Sequence, residues 1–186
     1  MNNFRQQAIN YKKQIANKFM LVEGQKISKR VFGKDFWVTR KIDGHLQSLF
    51  YENGEIMMLN SQGNEKASQL KCLDQAADSL RKAGVQSAVI AAELYYPRPN
   101  GRPRCNDVVS ALANEKEREK LCLAPFDIVE LNGEDYSNKN YGEKHLQLAA
   151  IFTAEMVQPV EMVTAHSTEE LIEIFEQWVG GEEAEG

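Results

Sequence analysis

The amino-acid sequence predicts a mixed α/β (α+β) fold. Helical and strand-like hydrophobic patterns alternate along the chain, without an internal repeat or a low-complexity linker. The pair Asn53-Gly54 separates two strand-like runs, which is a strong hairpin signal because both turn positions tolerate a positive φ. The chain has 186 residues, 42% of them hydrophobic, which is enough to bury a substantial core. We therefore expect a single domain over residues 1–186.

In the first half of the chain, two helical patterns flank a group of strands. Phe36-Trp37-Val38 is expected to form a buried strand, and the run from Leu46 to Tyr51 before the hairpin also has strand-like composition. A further buried strand is expected over 87–94. Two sets of apolar residues recur at helical spacing, and the helix predicted from the second set ends near Gly84. These sets are Phe4, Ala8, Tyr11, Ile15 and Phe19, and then Ala67, Leu70, Leu73, Ala77 and Leu80.

The second half begins with a loop over 97–104, which its prolines and glycine keep irregular. Residues 121–131 are a predicted central strand entered at Pro125, with a turn at Asn132-Gly133. A strand over 157–163, interrupted at Pro159, is expected further on. Two helices are predicted, one marked by Leu146, Ala149, Ala150 and Phe152, and one after the capping box Ser167-Thr168-Glu169-Glu170, carrying Leu171, Ile174, Phe175 and Trp178.

Charge and composition narrow the class of protein. The net charge is -5 and the pI is about 5.3, which argues against a generic basic nucleic-acid coat, although a local positive face could still bind DNA. No apolar run reaches membrane-spanning length, and the polar start at Met1 lacks a signal-peptide core. Cys72, Cys105 and Cys122 have neither disulfide-framework nor zinc spacing. Reduced thiols in a cytoplasmic protein are the simplest interpretation.

The stretch Arg40-Lys41-Ile42-Asp43-Gly44 carries the strongest signal for chemistry. On alternate positions of an extended chain, Lys41 and Asp43 point to one face and Arg40 to the other. Gly44 permits a backbone geometry or a close ligand approach that other residues resist. A lysine amine is a useful nucleophile when burial or a cationic neighbour lowers its pKa. The pattern alone fits a nucleophile site and also a solvated lysine–aspartate pair beside a turn.

Two later strands supply further candidates. Glu93 follows an apolar run and would be costly to bury fully, so we expect it at a strand end beside a cation, a hydroxyl or water. The alternative is a glutamate that faces solvent. Phe126 fits a core aromatic. Asp127, on the opposite strand face, is expected to hold a turn or a neighbouring basic group.

Several segments, in order, resemble motifs of the adenylation domain of ATP-dependent polynucleotide ligases, within the covalent nucleotidyltransferase superfamily. Lys41-Ile42-Asp43-Gly44 resembles the K-x-D-G motif, and residues 59–65 resemble the S-R-x-G-E segment. Ala92-Glu93-Leu94 falls where the family has D-G-E-L. Phe126-Asp127-Ile128 resembles the F-D-I strand, and Glu185-Gly186 resembles the start of the E-G-hydrophobic motif.

The resemblance implies a nucleotidyltransferase core (ATP-grasp-like ligase adenylation) with antiparallel-rich sheets around a nucleotide cleft. It implies that Lys41 attacks the α-phosphate of ATP to form a lysyl-AMP phosphoramidate, and that AMP then passes to a 5′-phosphate end before nick sealing. Phe126 would pack against the base, while Glu93 and Glu185 would bind both the nucleotide and Mg²⁺. The other cofactor-binding positions would be Thr39, Arg40, Ile42, Asp43 and Gly44.

Three positions depart from the family pattern. Leu46 and Gln62 stand where ligases usually carry arginines that contact phosphate or sugar, and Thr39 stands where many have a glutamate that reads the adenine amino group. The chain also stops at Gly186, before the lysine motif and the OB-fold domain that normally follow. We therefore expect an adenylation domain that is incomplete at its C-terminus, folds, and seals nicks poorly by itself.

The resemblance implies nicked duplex DNA as the partner, with RNA possible, and a monomeric enzyme of DNA replication, repair and recombination that does not bind membranes. The arginines of the 97–104 loop could contact nucleic-acid phosphates or lie solvated in water. Two other functions fit the same residues. An RNA ligase or capping-type nucleotidyltransferase uses the same lysine chemistry, and a non-catalytic nucleotide-binding remnant would account for Leu46 and Gln62.

Overall fold

The structure is a computed structural model that describes residues 2–15, 35–65 and 67–181. Of the residues named in the predictions, Met1, Phe19, Glu185 and Gly186 lie outside the described residues. The first elements are α1 (Asn2–Asn10) with a π-helical segment (Tyr11–Ile15), β1 (Phe36–Thr39), β2 (His45–Glu52), β3 (Glu55–Asn60), α2 (Lys71–Lys82) and β4 (Ser87–Tyr95). They are followed by α3 (Cys105–Leu112), α4 (Glu115–Arg118), β5 (Cys122–Leu131), β6 (Glu134–Asp135), α5 (Tyr141–Ile151), β7 (Met162–Ala165) and α6 (Thr168–Phe175) with a second π-helical segment (Glu176–Gly181).

Two antiparallel sheets confirm the predicted α+β class. The larger sheet has five strands in the order β3-β2-β4-β5-β6, and the smaller sheet pairs β1 with β7. The main core packs α2, α3 and α5 against one face of the larger sheet. A smaller cluster forms where α1 covers β2 and β3, with Ala8 against Phe50 and Leu59. The Phe4 and Phe50 rings stack there at 4.7 Å between centroids. Within the described ranges, no helix combines the length and apolar character needed to cross a bilayer.

The predictions for the first half hold with two corrections. The β2–β3 hairpin turns at Asn53 and Gly54, with φ values of 49° and 97°. The second helix ends before Gly84 as predicted, but it begins at Lys71 and not near Ala67, because the chain is still extended at the cap residue Leu70. The strand at 36–38 exists but is not buried: it belongs to the two-stranded sheet, and Trp37 is 44% exposed.

Two predictions for the last third are wrong in detail. Three of the four apolar residues used to mark α5 are exposed, Leu146 to 69%, and the fourth, Phe152, is buried just after the helix ends. The inner face of the helix carries Leu148 and Ile151 together with Lys144, and apolar periodicity does not show the buried ion pair of Lys144 with Asp127. The strand expected over 157–163 is β7 at Met162–Ala165, and Pro159, which lacks an N–H, lies before it.

The capping box before α6 is confirmed in modified form. The Ser167 hydroxyl accepts a hydrogen bond from the backbone N–H of Glu170 at 3.1 Å. The Glu170 carboxylate reaches back one residue further than the usual pattern and accepts from the backbone N–H of His166 at 2.7 Å. This cap begins the helix that closes one side of the cavity described next.

Candidate active site

A cavity of about 990 Å³ is lined by residues of both sheets. The segment Arg40 to Gly44, which connects β1 to β2, lines it throughout. Glu93 from β4 and Phe126 from β5 line it as well, as does Thr39 at the end of β1. The structure therefore brings together every predicted site residue that it describes, and Glu185 alone lies outside the described residues.

Lys41 and Arg40 both line this cavity. The prediction placed their side chains on opposite faces of an extended strand, but neither residue lies in a strand. Strand β1 ends at Thr39 and β2 begins at His45, and the residues between them do not follow strand alternation. Arg40 Nε lies 3.2 Å from Glu161 Oε2, and its guanidinium carbon lies 5.1 Å from the Trp178 ring centroid. This contact attaches the segment after α6 to the residue preceding Lys41. The Lys41 side chain is exposed within the cavity.

Gly44 is required because the segment before β2 lies very close to β4. A Cβ at this position would lie 2.4 Å from the carbonyl oxygen of Leu94 and 3.0 Å from Cγ of Glu93. Contact distances between non-bonded heavy atoms are about 3.5 Å or more, so a methyl group does not fit. The sequence prediction allowed for a close ligand; the structure shows that the backbone of β4 occupies this space. Gly44 thus holds the lysine segment against the strand that carries Glu93.

Glu93 of β4 and Leu46 of β2 are direct cross-strand partners. Glu93 is half-buried near the end of β4, as expected for a carboxylate that follows an apolar run. Both residues line the cavity. The position at which the family pattern has an arginine therefore faces the expected nucleotide site, and it carries an apolar side chain here.

Phe126 is presented by a β-bulge. Ala92 pairs with Pro125 and Ala91 pairs with Asp127, so Phe126 is the extra residue between them. A bulge accommodates a proline inside a central strand and re-aims the neighbouring side chain. Strand β5 begins at Cys122, which corrects the prediction that the chain enters it at Pro125. Phe126 is half-buried and faces the cavity instead of filling the core.

Strand β5, which forms one wall of the cavity, also carries Asp127, and this residue anchors two helices behind that wall. Its carboxylate accepts a hydrogen bond from Lys144 Nζ at 2.9 Å and one from the Tyr11 hydroxyl at 3.0 Å. The exposed fractions of the Lys144 and Asp127 side chains are 8% and 2%. Burial, together with the adjacent Asp127 charge, raises the pKa of the Tyr11 phenol well above its ordinary value. The prediction that Asp127 holds a neighbouring basic group is confirmed.

Thr39 has a partner that the sequence did not reveal. Thr39 and Tyr141 both line the cavity, and the Thr39 side chain acts to lower the pKa of the Tyr141 phenol. Burial is the main reason why the pKa of Tyr141 is raised, so this phenol stays protonated and can donate. Tyr141 is the first residue of α5, and only the helix start after Asn140 could have pointed to it. No motif marks it.

The segment after β3 resembles the S-R-x-G-E motif and also reaches the cavity, through Asn60, Ser61 and Gln62. The Asn60 side-chain oxygen accepts hydrogen bonds from the backbone N–H groups of Gln62 and Asn64, at 2.9 and 3.0 Å. Gly63 has a φ of 74° and packs so tightly on α1 that a Cβ would lie 2.3 Å from Cγ of Arg5. The N-terminal helix therefore supports this loop directly.

The loop over 97–104 is irregular, as predicted, but one of its arginines is engaged within the protein. Arg98 forms two hydrogen bonds to the carboxylate of Asp107, at 2.6 and 2.7 Å. The same carboxylate accepts from the backbone N–H of Arg104 at the start of α3. A phosphate contact by Arg98 would have to compete with this bidentate pair.

The acidic side chains of the cavity suit a cation shared with a substrate. Among the described residues, no three or more His, Cys, Asp or Glu side chains form a group that could hold a metal ion. Mg²⁺ is commonly held by one or two carboxylates together with substrate phosphates, and Glu93 offers one such carboxylate to the cavity. The donor set therefore fits Mg²⁺ in that mode of binding.

Solved structures of DNA ligases have a similar fold. The ligase domain of M. tuberculosis LigD is 16% identical, with a TM-score of 0.56, over 74% of this chain and 43% of that chain. A mycobacterial DNA ligase D complexed with ATP and MES is 13% identical, with a TM-score of 0.51, over 74% and 43%. A Lig E DNA ligase is 16% identical, with a TM-score of 0.59, over 86% and 56%.

These likenesses show the fold, and the chain spans only 43% of the first two structures and 56% of the third. A comparison with curated protein sequences gave no significant match. The family model described as "ATP dependent DNA ligase domain" matches residues 13–186, which is most of the chain. On that match, and with the predicted motifs gathered around one cavity, this chain belongs to the ATP-dependent DNA ligase domain family.

Proposed function

We propose that this chain is the adenylation domain of an ATP-dependent DNA ligase, over residues 1–186, with Lys41 as the nucleophile. The observation that carries the proposal is the convergence of Lys41, Glu93 and Phe126 on one cavity. These residues come from three separate motifs that are distant in sequence. Their convergence in a member of this family supports one nucleotide site.

The chemistry assigned to Lys41 is a transfer of the AMP group. Its neutral amine forms a bond from Nζ to the α-phosphorus of ATP, the bond from that phosphorus to the bridging oxygen breaks, and pyrophosphate leaves. The amine proton is lost to water. A 5′-phosphate oxygen of the nucleic acid then attacks the same phosphorus and releases Lys41, which prepares the end for attack by a 3′-hydroxyl.

The other residues bind and position the nucleotide. Phe126 offers an aromatic face to the base, and stacking of this kind contributes about 1–3 kcal/mol. Thr39 and Tyr141 offer hydroxyl groups at the β1 end of the cavity. Glu93, with Glu185, would hold Mg²⁺ against the phosphates, where the ion supplies charge neutralisation.

We further propose nicked duplex DNA as the substrate of a cytoplasmic, monomeric enzyme in replication, repair or recombination. Sealing assays on matched nicked DNA and nicked RNA duplexes test the substrate class. Faster sealing of the DNA nick supports the proposal. Faster sealing of the RNA nick favours an RNA ligase.

Covalent labelling tests the lysine assignment. We expect the purified protein to become labelled by α-³²P-ATP with Mg²⁺, and Lys41→Ala to abolish the label. Lys41→Arg should fail as well, because a guanidinium stays protonated. The matched control is Lys71→Ala, at an exposed lysine at the start of α2. Equal labelling of Lys41→Ala and the control would remove Lys41 as the nucleophile.

A further inference from the structure

Lys12 reaches the same cavity from the N-terminal part of the chain. It lies in the π-helical segment Tyr11–Ile15, its side chain is exposed, and it lines the cavity together with Lys41. The family match begins at residue 13, so Lys12 lies outside the matched region. None of the motifs discussed above includes it.

The position of Lys12 is fixed by its neighbour. The hydroxyl of the buried Tyr11 donates a hydrogen bond to Asp127, the residue next to Phe126. One turn earlier, Ala8 is buried against β2 and β3. These contacts hold the backbone of the segment against the sheet, and this packing places Lys12 at the cavity.

In the part of the chain that the structure describes, the cavity has few positive side chains for a triphosphate, so a further lysine there has a role. ATP brings a triphosphate with several negative charges, and phosphoryl transfer depends on positive groups around it. Among the described residues, the lysine and arginine side chains that line the cavity are Lys12, Arg40 and Lys41. Arg40 is paired with Glu161, and Lys41 is the proposed nucleophile. Leu46 and Gln62, at the usual arginine positions, are uncharged.

We propose that Lys12 binds the phosphate groups of ATP. It supplies part of the positive charge that the family pattern provides through arginines at the positions of Leu46 and Gln62. This inference rests on the proposed adenylation function. Lys12 is a substrate-binding residue in this account. Its ammonium group contacts phosphate oxygens before Lys41 attacks, and it takes no part in bond formation.

Calorimetric titration of ATP into the purified protein tests this directly. The variants are Lys12→Gln, Lys12→Arg and the matched control Lys13→Gln, since Lys13 is an exposed lysine of the same segment that does not line the cavity. We expect Lys12→Gln to weaken ATP binding by about 5- to 20-fold, the range for a partly exposed charge-assisted contact. Lys12→Arg should retain most of the affinity, and Lys13→Gln should match the wild type.

Salt dependence separates a phosphate contact from a structural effect. The difference between wild type and Lys12→Gln should shrink as KCl is raised from about 50 mM to about 500 mM, because added salt screens exposed charges. A loss that is independent of salt, or equal in the Lys12→Gln and Lys13→Gln variants, would overturn the inference. Labelling of wild-type Lys41 is measured in parallel. Its absence would reject the proposed function, whereas its presence with unchanged Lys12→Gln binding would reject only the role of Lys12.

Discussion

Replacing Gly44 with alanine tests whether the close approach of the segment before β2 to β4 sets the position of Lys41. The added Cβ would lie 2.4 Å from the Leu94 carbonyl oxygen, which is about 1 Å inside normal contact. Neither atom belongs to a flexible side chain, so the segment that carries Gly44 must move away from β4 by a comparable distance. Overpacking of this kind costs about 1–3 kcal/mol of unfolding free energy.

The same displacement should impair chemistry more than folding. A misplacement of about 1 Å in a reacting group can reduce a rate by about 100-fold. We expect Gly44→Ala to lose about 1–3 kcal/mol in urea unfolding and about 100-fold in the single-turnover rate of lysyl-AMP formation. Gly180→Ala is the matched control, since a Cβ there meets no atom within 4 Å. Wild-type stability and labelling in Gly44→Ala would refute this reasoning.

Two further substitutions follow from the structure. Leu46→Arg places a guanidinium on the cavity wall, at the position where the family pattern has arginine. In calorimetric titration this variant should bind ATP about 5- to 10-fold more tightly than Leu46→Gln does. Weaker binding than that of Leu46→Gln would contradict this prediction. Lys144→Met leaves the buried Asp127 carboxylate without its cation and should cost about 3–5 kcal/mol in urea unfolding, most of it recovered when Asp127→Leu is added. A loss below about 1 kcal/mol in Lys144→Met would show that this pair is not a main support of the β5 wall.

The parts of the fold that could be predicted from the sequence are those with local causes. The Asn53-Gly54 turn and the cap at Ser167 depend on neighbouring residues, and both are present in the structure. The inner face of α5 includes Lys144, whose partner Asp127 is far away in sequence, and apolar spacing cannot identify that position. An ion pair between distant residues leaves no periodic signal.

The candidate site divides in the same way. Lys41, Glu93 and Phe126 were found through motifs, and the structure gathers them on one cavity. Tyr141 and Lys12 were missed, because each is brought there by tertiary packing and belongs to no motif. Strand alternation does not apply to Arg40 and Lys41, because the segment from Arg40 to Gly44 is not a strand.

The central claim is that Lys41 becomes covalently adenylylated, and peptide mass spectrometry tests it most directly. The protein is incubated with ATP and Mg²⁺, digested, and searched for an acid-labile AMP adduct linked through nitrogen. We predict one AMP per chain, on the peptide that contains Lys41. Stoichiometric AMP on a different residue, or no adduct on wild-type protein that binds ATP, would contradict the account.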